Sequence, residues 1–145
     1  MKRFSVLAIS FAALTVLTPL RANPKCSAST LRGAYGYTVT GTRPAGVPFA
    51  AVGKIEFDGK DRANTIRTLS DGGNIIRNDT GAGNYSLDSE CRGAFSIGTG
   101  PLGQLIIDIV VTDGGNQIRG IVTNPGFVLL FEGRRVANGN GDAYE

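Results

Sequence analysis

Apolar and polar residues alternate along most of this chain. In Gln104–Thr112 every odd position is aliphatic: Leu105, Ile107, Ile109 and Val111. In Phe127–Arg135 the odd positions are Phe127, Leu129, Phe131 and Gly133. A period of two marks strands with one buried face, and no helical period competes with it. Similar runs predict strands at Ala34–Thr40, Phe49–Phe57, Ala63–Leu69, Asn74–Asp79, Gly83–Leu87, Gly93–Ile97 and Gln117–Thr123 as well. Between them lie "DGKD", two copies of "DGGN", "TGAG" and "NPG". Asp-Gly and Gly-Gly between alternating runs favour tight hairpins, because glycine accepts positive φ without strain. Eight or nine strands on short turns predict an all-β, antiparallel up-and-down meander that closes into a barrel of about eight strands and so removes its edges. A sandwich is the alternative.

Loop parity carries the pattern across strands. With even loops at the second "DGGN" and at "NPG", Ile109 faces Gly120, Val111 faces Ile118 and Phe131 faces Gly120. That wholly apolar face is the interior. Tyr35, Tyr37 and Val39 give a matching face in the first strand, and Phe49, Ala51, Ile55 and Phe57 in the second. The lumen candidates are therefore Tyr35, Tyr37, Phe49, Phe57, Ile107, Ile109, Gly120, Leu129 and Phe131. Gly53, Gly120 and Gly133 on this face leave room for a small apolar ligand, with tyrosine hydroxyls near its polar end. They can equally serve strand curvature alone. About eight strands is also the size at which side chains alone can fill the interior.

The opposite face holds one charged row. Arg119 lies across from Glu132, and Asp108 is diagonal to Arg119. A guanidinium between two carboxylates can anchor a ligand; the plainer reading is an exterior charge ladder. Beside it stand Ile106, Val110, Ile121, Val128 and Leu130. A solvent face does not usually gather so many aliphatics. Either the N-terminal segment covers them or a second subunit does, which makes a homo-oligomer one expectation.

The N-terminus changes the charge. "MKRFSVLAISFAALTVLTPLRANP" has two leading cations, an uncharged run from Phe4 to Leu20, and Leu20 and Ala22 at −3 and −1 of a cleavage site. This predicts a signal peptide at 1–22 and a secreted or periplasmic protein with no later membrane span. Residues 23–32 are then an N-terminal segment, 33–136 the barrel domain and 137–145 a disordered tail. Lys2, Arg3 and Arg21 account for the whole excess of 15 basic over 12 acidic residues. The exported chain is neutral, and a nucleic-acid partner is not expected. The Arg134–Arg135 pair reads as a solvated strand end.

Two cysteines remain, Cys26 and Cys91. In an oxidising compartment they allow one intramolecular bridge, which would stabilise the fold by ~4 kcal/mol through loop closure. Free thiols, or pairing between chains, are the alternative. There is no histidine. That removes Ser-His-Asp and Cys-His catalysis and an ordinary zinc site, so neither metal nor cofactor is expected. "TGAGNY" and "GTGPLG" lack the Lys-Ser/Thr of a phosphate loop. "DGKD" falls short of a calcium loop.

"CSASTLRGAYGYTVTG", "PFAAVGKIEFDGK", "NYSLDSECRGAFSI" and "QIRGIVTNPG" together resemble a group of secreted bacterial proteins of uncharacterised function. The resemblance spans most of the exported chain and implies a small calycin-like or allene-oxide-cyclase-like barrel. Its cysteines fall at Cys26 and Cys91, which supports the bridge. Asp61 departs from a glycine of that pattern, in a turn. No reaction and no catalytic residue follow from it. The glycosylation sequons "NDT" and "NYS" are coincidental in a chain of this kind.

Three functions fit these observations: a barrel binding a small apolar ligand in its lumen, a structural or interaction protein of the cell envelope with a filled core, and a cofactor-free isomerase or cyclase with a cavity-type active site. The volume left inside the barrel separates the first and third from the second.

Overall fold

The computed structural model describes residues 25–100 and 102–136. The leader read at 1–22 and the tail at 137–145 lie outside them. Eight strands follow one another around a closed antiparallel barrel. They are β1 (Gly33–Arg43), β2 (Val47–Phe57), β3 (Arg62–Asp71), β4 (Asn74–Leu87), β5 (Arg92–Thr99), β6 (Gly103–Thr112), β7 (Gln117–Val122) and β8 (Val128–Arg135). The ring closes where β1 pairs with β8, from Tyr35 opposite Arg135 to Thr42 opposite Val128.

The sequence-derived register holds. Ile109 pairs with Gly120 and Val111 with Ile118; Gly120 pairs with Phe131 and Arg119 with Glu132. The predicted inner faces are buried, including Tyr35, Tyr37, Phe49, Phe57, Ile107, Ile109, Leu129 and Phe131. The core is apolar, and Asp108, Arg119, Glu132 and Arg134 of β6–β8 point out, opposite in sense to an outer-membrane barrel. Among the described residues no helix is long and apolar enough to cross a membrane.

One segment departs from the expectation. "TGAG" is not a turn: β4 runs unbroken from Asn74 to Leu87. The β5 backbone lies too close there for side chains, and a Cβ on Gly83 would sit 2.6 Å from the Ser96 carbonyl carbon. These glycines mark a close approach of strands, not a reversal. A bulge also interrupts the β3–β4 ladder between Arg67 and Leu69. Two residues of β4, Arg77 and Asn78, oppose the single Thr68, and Asn78 takes a left-handed φ of 55°. The extra residue reverses the parity of β4. Ile76 faces inward before the bulge and Asp79 after it.

The two ends of the barrel differ. One is formed by the turns after β1, β3, β5 and β7. The other is stoppered by the 3-10 turn Ala28–Leu31, whose Leu31 is fully buried. The Cys26–Cys91 disulfide ties this segment to the β4–β5 turn. The described residues of the N-terminal segment thus close a barrel end and do not cover the outer aliphatic cluster. Arg135 locks it. Its guanidinium donates to the carbonyls of Thr30 at 2.9 Å and Gly115 at 3.0 Å, to Tyr35 Oη at 2.6 Å, and to the Arg32 carbonyl. It also lies 4.8 Å from the centroid of the Tyr35 ring. Arg135 is therefore no solvated strand end; the packed N-terminal segment, Tyr35 of β1 and the β6–β7 turn supply the acceptors.

Candidate functional site

The lumen is the first place to seek a site. Alternation along β1, β2, β4, β5 and β8 aims seven aromatic rings inward, and all but Phe49 touch in a branched chain. Phe57 meets Tyr35, Tyr85 and Phe95 edge-on, with centroids 5.6, 4.9 and 6.0 Å apart. Phe95 meets Phe131 at 5.2 Å, and Phe131 stacks on Tyr37 at 5.1 Å. Edge-to-face and offset contacts at these separations are favourable, so the rings are packed core. The void they leave, bordered by Tyr37, Phe49, Ile97 and Leu105 among others, offers about 20 Å³ to the centre of a water-sized sphere. One water needs about 10–15 Å³ on that measure.

The inward glycines do not provide the room expected of them. A Cβ on Gly120 would stand 2.7 Å from the Asp108 carbonyl oxygen and 2.9 Å from methyls of Ile107 and Ile109. At Gly53 it would meet Arg67 Cβ at 2.6 Å, and at Gly133 the Phe131 ring at 3.2 Å. These positions lack side chains because their neighbours occupy the space.

The hydroxyls expected near a ligand, those of Tyr35 and Tyr37, are engaged, and so is that of Tyr85, which the sequence reading did not name. Tyr35 Oη donates to the Gly115 carbonyl, and Tyr85 Oη donates to that of Ala28 at 3.0 Å. Both serve the stopper. Burial raises the pKa of each above the ordinary tyrosine value, opposed at Tyr35 by the neighbouring Arg135 charge and reinforced at Tyr85 by Asp58. Tyr37 Oη shares a 2.8 Å hydrogen bond with Thr65 Oγ1, which itself donates to the Lys54 carbonyl at 2.9 Å.

An ion pair in the barrel wall escapes the sequence reading. Arg67 Nε and Nη2 both donate to Asp79 Oδ2, at 2.7 and 2.5 Å, with the side chains only 6% and 10% exposed. The pair exists because the bulge turns Asp79 inward opposite Arg67. Removing two charges from water is costly unless they are paired and well hydrogen-bonded, as these are.

On the outside, Asp108, Arg119 and Glu132 are exposed, at the places the sequence assigns them. None of the three joins an ion pair among the described residues. No buried, desolvated anion site forms there. Ile106, Val110, Ile121, Val128 and Leu130 are 46–64% exposed, uncovered by any described part of the chain. No cluster of three or more metal-ligating side chains occurs among the described residues. The interior is thus an aromatic core, and the unusual surface is outside, on β6, β7 and β8. No protein-family model, curated protein or solved structure matches this chain.

Proposed function

We propose that this protein is an exported interaction module of the cell envelope, a filled, disulfide-closed barrel that acts through its outer face. The observation that carries the reading is the interior volume: about 20 Å³ on the scale of a water's centre holds no ligand of drug or lipid size. The apolar outer face of β6–β8 supports it. Export rests on the leader-like N-terminus and on the disulfide, which belongs in an oxidising compartment. The resemblance to secreted bacterial barrels agrees with this setting.

The test is titration of the exported protein with an apolar fluorescent probe. The expectation is no saturable one-to-one uptake. Uptake that is abolished by filling the void, with Ala51→Phe in a variant that still folds, overturns the reading. One feature favours the lumen instead: Phe49, Ile97, Leu105 and Val122 border the void near the turn end, where the described residues include no counterpart of the 3-10 stopper. Nothing observed favours an isomerase or cyclase.

A further inference from the structure

We propose that the partner of this outer face is a second copy of the chain, docked about a twofold axis through β6 and β7. The inference rests on the reading that the outer face is the working surface, and goes beyond it by naming the occupant.

Asp108 lies directly opposite Ile121, and Val110 directly opposite Arg119. Alternate residues of one strand share a face, so these four side chains form a quadrilateral, about 4.8 Å across the strands and about 7 Å along them. Opposite charges occupy one diagonal, Asp108 and Arg119. Aliphatics occupy the other, Val110 and Ile121. Face-to-face docking requires a twofold axis lying in the plane of the interface. An axis along the Val110–Ile121 diagonal sets Asp108 of each copy against Arg119 of the other, Val110 on its own counterpart and Ile121 on its own counterpart. A twofold interface requires a patch that is complementary to itself, and this one is so in charge and in apolarity.

The side chains are free to be used in this way. Val110 and Ile121 are 46% and 47% exposed. Asp108 and Arg119 are exposed and make no ion pair among the described residues. A shallow hollow lies between the four, lined also by Gly120 and Arg92. The closed ring offers no free strand edge, so association has to occur face to face through side chains.

The test is a charge swap on the exported, oxidised protein, read by sedimentation equilibrium up to high micromolar concentration. The natural protein is expected to dimerise. Asp108→Arg alone and Arg119→Asp alone each place like charges together twice and should weaken the dimer about 10-fold or more. The double variant, D108R with R119D, restores the contacts in reverse and should return to within about 3-fold of the natural dissociation constant. Val110→Thr, which preserves strand propensity, should also weaken it. A natural protein that stays monomeric overturns the proposal. So does a dimer that the single reversals leave unchanged in strength, given circular dichroism spectra showing folded variants. Probe uptake by the lumen would instead overturn the filled-barrel reading, so the two fail separately.

Discussion

Replacing Arg135 by methionine removes the guanidinium that holds the stopper while keeping most of the side-chain bulk. Three of its hydrogen bonds, to Thr30 O, Tyr35 Oη and Gly115 O, are partly buried, and a fourth to Arg32 O is exposed. A hydrogen bond to a charged group contributes about 1.5–3 kcal/mol when well buried, and partial exposure brings each of the three nearer to 1 kcal/mol. The stacking over Tyr35 adds about 0.5–1 kcal/mol. The exposed bond is discounted to zero. Arg135→Met should then destabilise the oxidised protein by about 3.5–4 kcal/mol, equal to a fall in melting temperature of about 15 °C for a domain of this size. Arg135→Lys keeps the charge but cannot fork among three acceptors, so it should recover less than half of the loss. Urea unfolding with the disulfide intact measures both, and an unchanged slope shows that the same surface is exposed. A loss below about 1 kcal/mol for Arg135→Met would refute the assignment, because losing three partly buried hydrogen bonds to a charged group at a closed barrel end cannot be that cheap. So would full recovery by lysine.

Arg67→Met alone leaves Asp79 buried and unpaired and should cost about 3–5 kcal/mol, whereas Arg67→Met together with Asp79→Leu should come within about 1 kcal/mol of the natural protein; equal losses in single and double variants would contradict the pairing. Gly120→Ala should destabilise by about 1–3 kcal/mol through overpacking, measured by thermal melting; a neutral result would mean the interior has the slack that the structure denies. Tyr35 and Tyr85 are raised in pKa chiefly by burial, so their neutral forms favour the folded state: this stability is present below the ordinary tyrosine value of about 10 and disappears as pH climbs through the folded values. Ultraviolet difference titration of the protein against Tyr35→Phe and Tyr85→Phe should place both phenols late, with the stopper becoming protease-sensitive as they ionise; titration of both at the ordinary value would contradict their burial.

Fold and inner face were legible because the turns are short. Once "DGGN" and "NPG" are even-length loops, parity propagates, and Ile109, Gly120 and Phe131 have to meet. The bulge was not legible. One surplus residue at Asn78 carries no proline or glycine to announce it, and it decides whether Asp79 points in or out. The Arg67–Asp79 pair was hidden with it. "TGAG" misled for the opposite reason: glycine marks a reversal and a close approach in the same letters. The stopper and its Arg135 lock join residues about a hundred positions apart in sequence, beyond the reach of a local pattern. The outer aliphatic cluster was visible, but its expected cover by the N-terminal segment was not realised, since Leu31 found a deeper place at the barrel end.

The lock also imposes an order in time. Cys26 and Cys91 are separated by 65 positions and both precede β6, so their bond can form while the last three strands are still unpaired. Arg135 is the final residue of the final strand. A chain delivered from its N-terminus therefore carries its own stopper, tethered but unfastened, until β8 arrives to zip against β1 and bring the fastening with it. Ring closure and sealing of the barrel end become a single late event. A chain cut short before β8 would lose both at once and expose its aromatic interior to quality-control proteases.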